Sequence, residues 1–445
     1  MSTPSSNGKQ HVAYVAGLDQ DAKAAISMAT VLGRGDTPTF GPIALADLQV
    51  LCTLGPAAIL SNEYAAEVER LGMRAVLQLP ANAPWIPHLR PYDQVVFTTD
   101  LKIVSVSGLL SPELLVRRPY LGSVGNFNAK RRGRPPQKML PLDAYGSHAM
   151  RILQLIAVVG KGHKVVIRAP GASGKTYFVI DLLQTLVKMQ KSMPKLHIVS
   201  AIINERTEDM ENITAKVFSQ EEHAPLRVHR PFSSMDNLNL VSVYYTAITT
   251  LSIALRLTEA GQDVVVSMDS MSRIAEALTG LDHLNKTGQT GLVSGGLGRD
   301  ALVQTRAMAA LGGDYTHILG EGDFAAGTMT VFATALAAER GGKGGSDPSE
   351  TAYAREISGT AHTGYFDLVN LNPKPRADAP YPWVNVLTSM TRFQDIFVPP
   401  VHMAEMAKVR TEMAAMGDPD AQFRWLHTYA DARPIPDWVT AGKKQ

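Results

Sequence analysis

Two hydrophobic patterns follow one another along the chain, and the change falls near residue 140. Before it, short apolar runs such as residues 12–15 alternate with polar stretches, and residues 62–72 predict a helix. Residues 94–98 and 103–106 are rich in β-branched side chains and lie on either side of a short polar segment, which predicts a strand pair. We therefore expect a small α/β or α+β unit in this part.

After residue 140 the pattern becomes regular, because apolar runs of strand length alternate with segments of helical length. The predicted strands are residues 164–168, 196–203 and 263–269, and the predicted helices are residues 175–189 and 239–259. Such alternation is typical of an α/β domain whose mostly parallel sheet is covered by helices on both faces. Its active site is expected at the carboxyl ends of the strands.

Composition sets broad limits. The chain has 445 residues, which favours two or three domains, and its net charge of +2 gives no bulk attraction to nucleic acid or membrane. Its single cysteine, Cys52, excludes an intramolecular disulfide, and the first residues lack the pattern of a secretion signal. No apolar run approaches the ~20 residues that span a bilayer. These features predict a cytoplasmic protein without a membrane partner.

A glycine-containing segment between the first regular strand and its helix predicts a phosphate loop for ATP and Mg²⁺. Small residues let backbone N–H groups approach phosphate oxygens, and the start of the helix adds partial positive charge. We expect Lys175 to reach the β and γ phosphates and Thr176 to hold Mg²⁺. The candidate nucleotide-binding residues are Pro170, Gly171, Ala172, Ser173, Gly174, Lys175, Thr176 and Tyr177.

Two carboxylates follow at the ends of neighbouring strands. Glu205 is the candidate general base that polarises the attacking water, although it also fits a helix-capping role. Arg206 is either its ion-pair partner or a phosphate sensor. Asp269 ends the next apolar strand, where a carboxylate orients Mg²⁺ through the water around the ion. Together with Lys175, these residues predict phosphoryl transfer.

Several segments, in the same order along residues 143–438, resemble the transcription termination factor Rho. They are residues 160–162, 169–170, 205–206, 269–273, 294–302, 327–336, 381–392 and 416–438. The resemblance implies a RecA-type ATPase that works as a homohexameric ring. It also implies a nucleotide contact at Arg273, and Arg392 as an arginine finger that enters the neighbouring subunit's site. It further implies nucleic-acid contacts at Ser294, Gly295, Gly296 and Lys343.

The chain also departs from the Rho pattern. Ala172 and Gly291 stand where Rho has lysines, and the region before residue 140 lacks the aromatic-rich strand of Rho's OB domain. A diverged OB-like domain and a different accessory domain both remain open for that region. The basic run 130–138 resembles one copy of an AT-hook, which binds the minor groove of DNA, but it also fits a solvated linker.

The sequence thus predicts an accessory domain over residues 1–90, a β-rich segment with a basic linker over 91–142, and a Rho-like ATPase domain over 143–445. We expect an ATP-driven helicase or translocase that acts on single-stranded RNA, as a transcription terminator or a relative. One alternative is a DNA-directed ring ATPase of a phage or mobile element, for packaging or unwinding. The other is a rotary or protein-export ATPase.

Overall fold

The fold is available as a computed structural model. It describes residues 10–15, 57–60, 76–78, 84–85, 88–90, 92–98, 103–124, 132–171, 173–203, 207–218, 227–229, 240–285, 292–293, 297–336, 364–368 and 381–434.

The first part of the chain forms an antiparallel sheet with the strand order β3-β2-β1-β4-β5. Its strands are β1 Gln10–Val15, β2 Ala57–Leu60, β3 Val76–Gln78, β4 Gln94–Thr98 and β5 Ile103–Val106. The predicted strand pair is therefore present as β4 and β5. Because β1 pairs with β4, the sheet spans the boundary that the sequence placed after residue 90. Pairing between segments so far apart leaves no local sequence signal.

The second part contains an eight-stranded sheet, in which β15-β14-β6-β13-β9-β7-β8 form the main path and β12 pairs with β13. Strands β14, β6, β13, β9, β7 and β8 run parallel, while β15 and β12 are antiparallel to their neighbours. The strands are β6 Lys164–Ala169, β7 Leu196–Ile202, β8 Val228–His229, β9 Asp263–Asp269, β12 Gly313–Asp314, β13 Thr328–Leu336, β14 Gly364–Asp367 and β15 Met390–Thr391. A hairpin of β10 Leu292–Val293 and β11 Leu297–Gly298 stands apart.

Helices cover this sheet. In chain order they are α1 Leu142–Tyr145, α2 His148–Ile156, α3 Lys175–Met189, α4 Thr207–Ile213, α5 Leu240–Glu259, α6 Met271–Asn285, α7 Arg299–Ala309, α8 Gln394–Phe397, α9 Pro400–Ala415 and α10 Pro419–Ala432. A π-helical turn, Thr214–Phe218, follows α4, and short 3₁₀ helices cover Pro112–Arg117 and Glu321–Asp323.

The large sheet separates two hydrophobic cores, because alternate side chains of a strand point to opposite faces. In β6, Val165 and Ile167 join the core that contains residues of α2, α3, α9 and α10, while Val166 joins the core beneath α5, α6 and α7. Each fully buried aliphatic side chain of this kind contributes about 1.5–3 kcal/mol through removal from water. The result is the three-layer α/β arrangement that the regular pattern predicts, and the RecA-type fold class is confirmed.

The segment before the large sheet is docked onto α5. Glu259 at the end of α5 accepts hydrogen bonds from Arg90 (2.5 Å) and from the backbone N–H of Leu121 (2.8 Å). The Tyr120 ring lies between the guanidinium groups of Arg90 and Arg256, at 4.9 and 5.4 Å. Buried charges are stable only when paired, so these contacts hold Arg90, Tyr120 and Leu121 against the ATPase core.

The described end of the basic run is also attached to the large sheet. The backbones of Arg134 and Asp314 exchange hydrogen bonds of 2.9 and 3.1 Å, and the Arg134 side chain donates to the Thr316 hydroxyl at 2.9 Å. Gly133 is required here, because a Cβ would come within 2.5 Å of the Gly313 backbone. Arg134, one arginine of the AT-hook-like run, is thus hydrogen-bonded within the fold. Among the described residues, no helix is long and apolar enough to cross a membrane.

Candidate active site

The phosphate loop lies where β6 passes into α3. Its backbone folds back on itself, since the Pro170 carbonyl accepts hydrogen bonds from the Ser173 N–H at 3.4 Å and hydroxyl at 2.8 Å. Gly174 has φ of 84°, a left-handed conformation that favours glycine. Open space surrounds the position that a Cβ would occupy on Gly171. The described part of the loop is therefore compact, and Gly171 borders open space.

Lys175 and Asp269 meet at the carboxyl edge of the large sheet. The Lys175 ammonium lies 2.8 Å from an Asp269 oxygen, and the same oxygen accepts a hydrogen bond of 2.5 Å from the Thr334 hydroxyl. Asp269 is almost fully buried, so pairing with a cation offsets its desolvation. Thr176 is partly buried in the first turn of α3. A triphosphate requires an ammonium group and backbone N–H donors, and Mg²⁺ requires hydroxyl and carboxylate oxygens. These residues fit both.

Tyr381 adds an aromatic ring to the phosphate loop. Its hydroxyl donates to the Gly174 carbonyl at 2.8 Å, and its ring would meet a Cβ on Gly174 at 2.6 Å. Burial raises the pKa of Tyr381, so the phenol remains a hydrogen-bond donor. The exposed ring of Tyr177 lies edge-on to it, with centroids 6.3 Å apart. An aromatic surface therefore borders the candidate nucleotide site.

An ion pair joins β6, the strand that leads into the phosphate loop, to its neighbour in the sheet, β14. Both side-chain oxygens of Asp367 accept hydrogen bonds from the Arg168 guanidinium, and Arg168 directly precedes the last residue of β6. The Asp367 N–H donates to the Ser389 hydroxyl at 3.0 Å, and the Asp367 carbonyl accepts from the Asn385 N–H at 2.9 Å. Asp367 thus connects the strand of the phosphate loop with the chain segment 381–392.

Strand register places Arg392 at the end of the sheet where the parallel strands begin, which we call the amino edge. β15 pairs Thr391 with Gly364, and Gly364 pairs with Val165 at the start of β6. Val165 lies four positions before Ala169, a distance of about 13 Å along a strand. Arg392 is exposed, and its backbone approaches the buried His163. The finger candidate therefore lies at the end of the strands opposite to the phosphate loop of its own chain.

Large apolar side chains are exposed around Arg392. They are Leu387, Met390, Phe393, Ile396 and Val401. Arg410 fixes the segment beneath them, because its guanidinium donates to the carbonyls of Val386, Ser389 and Ile156 at 2.5–2.6 Å. Exposed large apolar side chains concentrated within residues 387–401 favour a protein interface at this segment.

The remaining predicted site residues fall into two groups. Arg273, in the first turn of α6, is half-exposed and pairs with Glu276 at 3.0 Å, so the structure does not place it among the groups that contact Lys175 or Asp269. The others lie outside the described residues and stay predictions: Ala172, Glu205, Arg206, Ser294, Gly295, Gly296 and Lys343. Leu292–Val293 and Leu297–Gly298, on either side of residues 294–296, pair as an antiparallel hairpin.

Sequence reasoning missed Tyr381, Arg168 and Asp367 as parts of the site. Tyr381 was noted only as the start of the segment that ends in Arg392. Arg168 interrupts an otherwise apolar strand just before the phosphate loop, and a charge at that position was the one available signal. Its partner lies 199 residues away, so no spacing rule pointed to it.

Comparison with known proteins agrees with this geometry. The nucleotide-binding domain of the ATP synthase alpha/beta family matches residues 149–287, which include the phosphate loop and Asp269. The chain also resembles solved structures, among them a prototypical ATPase from the type III secretion system of pathogenic bacteria. That likeness has a TM-score of 0.52 and 17% identity, and it covers 70% of this chain and 86% of the other. At this identity the likeness shows the fold alone.

Curated relatives carry the name transcription termination factor Rho. The protein from Akkermansia muciniphila is 28% identical over 255 residues, which is 56% of this chain and 45% of the relative. The protein from Streptosporangium roseum is 29% identical over 331 residues, which is 70% of this chain and 71% of the relative. Of the Akkermansia relative the matched region thus spans less than half.

Fold and site together define the class as a P-loop ATPase domain of the RecA type, and the matches confirm an enzyme of the ATP-hydrolysing class. Within that class the matched part of the chain is similar to curated transcription termination factors Rho, so the resemblance inferred from its motifs is confirmed.

Proposed function

We propose that the protein is a ring-forming ATPase that uses ATP hydrolysis to move along single-stranded nucleic acid, with RNA as the preferred substrate. The observation that carries this proposal is the division of one catalytic site between the two edges of the sheet. Lys175 and Asp269 meet at the carboxyl edge, whereas Arg392 is exposed at the amino edge. A site of this kind is complete only when a second copy supplies the arginine.

Each residue near the phosphate loop has a role in this proposal. The backbone of the loop and Lys175 bind the β and γ phosphates, and Thr176 and Asp269 hold Mg²⁺, which neutralises charge that develops on the transferred phosphoryl group. Glu205 orients and deprotonates the attacking water. The rings of Tyr177 and Tyr381 border the site where the nucleotide base would stack.

The apolar side chains around Arg392 support assembly into a closed ring, which we propose to be a homohexamer. Exposed Phe393, Ile396 and Val401 would be removed from water when the finger enters the neighbouring site. Burial of such side chains stabilises association, and repeated head-to-tail contacts produce a closed ring when the rotation between subunits closes.

The relatives named as transcription termination factors favour RNA as the substrate and termination as the role. Residues 294–296 and Lys343 are the proposed nucleic-acid contacts, where a cation neutralises backbone phosphate. Glycines flank Lys343 on both sides in the sequence, and the wide range of backbone conformations open to glycine would let this contact shift with nucleotide state.

The test is ATP hydrolysis measured with poly-C, poly-U, single-stranded DNA and duplex DNA as separate stimulants, at fixed salt. We expect the largest stimulation from single-stranded RNA, and we expect Lys343→Ala to reduce that stimulation while basal hydrolysis persists. Stronger stimulation by DNA would indicate a DNA-directed ring ATPase instead. Hydrolysis that responds to no nucleic acid would contradict the proposed substrate and favour the protein-export or rotary class.

A further inference from the structure

We infer that Arg168 and Asp367 are positioning residues. They fix the position of Arg392, the arginine finger that each subunit inserts into its neighbour's site. This inference rests on the proposed function, since it assumes that Arg392 acts in the adjacent site. The pair would therefore serve the catalytic site of the neighbouring subunit and not the phosphate loop of its own chain. The pair holds the finger-bearing segment in register with the strand that ends in that loop.

The pair is built as a two-point attachment. Arg168 and Asp367 lie opposite each other in the parallel register of β6 and β14, and the Arg168 carbonyl accepts a hydrogen bond of 2.9 Å from the Leu368 N–H. Their side chains add a bidentate ion pair, which has a narrower preferred geometry than a single contact. Both side chains are largely shielded from water, so screening weakens the pair less than at an open surface.

Asp367 also binds the finger-bearing segment, residues 381–392, through hydrogen bonds of its backbone. Its backbone receives the Asn385 N–H and donates to the Ser389 hydroxyl, and Ser389 is fully buried. Directly after Ser389 the chain enters β15, which runs antiparallel to β14 and ends one residue before Arg392. The position of Arg392 is therefore determined by a short, paired strand whose upstream end is fixed to Asp367.

The same segment is held by the phosphate loop at its other end, where the Tyr381 hydroxyl donates to the Gly174 carbonyl. Segment 381–392 thus begins on the chain's own nucleotide site and ends at the finger for the next one. A shift in β6 or the loop would be transmitted along this segment, because packed elements move as units. Since a misplacement of about 1 Å can cost about a hundredfold in rate, even a small loss of register matters.

The experiment uses full-length subunits in mixed rings. An Arg392→Ala subunit retains its phosphate loop, and a Lys175→Ala subunit retains its finger, so hydrolysis returns where an intact loop faces an intact finger. Asp367→Asn is then introduced into one parent at a time. We expect about a tenfold or larger fall in the rescued kcat when the finger donor carries it, and a smaller fall when the loop donor carries it.

Ser389→Ala provides a second variant, because it removes the hydrogen bond that the Asp367 N–H donates to the finger-bearing segment while the Asn385 N–H contact remains, and it should give the same asymmetry. Asp263→Asn is the matched control. It breaks a comparably shielded ion pair with Lys161, 2.6 Å long, at the far end of β9, and should leave the rescue unchanged. Thermal unfolding and fluorescent ADP binding by the loop donor should stay near the parental values in each mixture.

The possible outcomes distinguish failure of this inference from failure of the proposed function on which it rests. If verified mixed rings of the two parents hydrolyse no ATP, the proposed intersubunit site is wrong, and the inference fails with it. If the parents rescue each other but Asp367→Asn acts equally in both donors, or chiefly in the loop donor, only the positioning role is wrong. A loss of rescue that Asp263→Asn reproduces would likewise reduce the pair to a stabilising contact.

Discussion

The two edges of the large sheet carry the two halves of the candidate site in opposite ways. At the carboxyl edge, Lys175 and Asp269 are shielded from water and paired with each other. At the amino edge, Arg392 is exposed among apolar side chains such as Phe393 and Val401. The first half is organised by contacts within one chain, while the second presents a charged group at the surface where we propose that another copy binds.

The difference follows from what each half must do. A carboxylate buried between strands is stable only with a partner, so the fold itself brings Lys175 to Asp269. An arginine that acts in trans must instead remain accessible, and its precision has to come from the backbone that carries it. Arg410 and Asp367 supply that support from beneath the exposed surface. Substitutions of Lys175 or Asp269 should therefore act within a subunit, and substitution of Arg392 between subunits.

The largest effect is expected for Lys175→Ala at the carboxyl edge. Loss of the ammonium removes charge stabilisation from both bound nucleotide and the transition state, so kcat/KM for ATP should fall by about 10³-fold or more. Steady-state hydrolysis and nucleotide binding measure the effect. Lys161→Ala, which breaks an ion pair at the other end of the sheet, is the control and should retain activity. Near wild-type hydrolysis by Lys175→Ala would refute the assignment of the phosphate loop.

Arg392→Ala should come close to that loss in kcat, by about 10³-fold, but without the loss of nucleotide affinity. The reason is that the finger acts only on the transition state in the neighbouring site, whereas Lys175 also binds the ground state. Separate determination of kcat and of the ADP dissociation constant distinguishes the two edges. Equal weakening of ADP binding by both variants would mean that Arg392 belongs to its own chain's site.

Glu205→Gln should lower kcat by about 10²-fold and leave ATP binding intact, because an amide can orient the attacking water but cannot accept its proton. Single-turnover hydrolysis reports the chemical step directly. Glu208→Gln is a nearby control, since Glu208 is exposed in the first turn of α4. An unchanged kcat in Glu205→Gln would leave that residue with the capping role, and the carboxyl edge would need another base.

The carboxyl edge was largely predictable from the sequence, and the amino edge was not. The phosphate loop and Asp269 follow apolar strands, so local pattern and chain order fixed their place together. The observed α3 and β9 match the predicted 175–189 and 263–269. The contacts Arg168–Asp367 and Tyr381–Gly174 join residues about two hundred positions apart, and such pairs leave no periodic trace. The attachment of the basic run through Arg134 was hidden for the same reason.

A smaller effect is expected for Val401→Asp on the exposed surface beside the finger. Val401 is 80% exposed at the start of α9, where a carboxylate suits the helix dipole, so the subunit itself should remain stable. If this surface is buried in a ring, association should weaken by roughly tenfold. Mass photometry across protein concentration measures the shift. Leu110→Asp is the matched control at 79% exposure in the docked N-terminal segment, and equal weakening by both would exclude a specific interface here.

The smallest effect is a response of local opening to acid pH. It is expected at the amino edge but not at the carboxyl edge, and its measurement leaves the proposed interface unaltered. Burial lowers the pKa of His163 to about 3, from an ordinary value of 6.5; a hydrogen bond to the Arg392 backbone opposes this shift, and the charge of the nearby Lys164 adds to it. The opened state therefore binds more protons than the closed state between these values. His163's contribution to stability is complete above about pH 6.5 and is lost as pH falls toward 3. Between pH 7 and pH 6, opening that exposes this ring should become about threefold more favourable.

Hydrogen exchange at residues 390–397, corrected for the intrinsic pH dependence of the rate, should rise by this factor, whereas β9 at the other half of the site should not respond. In His163→Gln the side-chain oxygen can still accept the Gly160 N–H that Nδ1 accepts at 2.9 Å, so the fold is kept while the titrating group is removed. The acid response at 390–397 should then disappear. If the variant responds to acid as the wild type does, His163 does not govern opening at the amino edge, and the two edges differ in exposure alone.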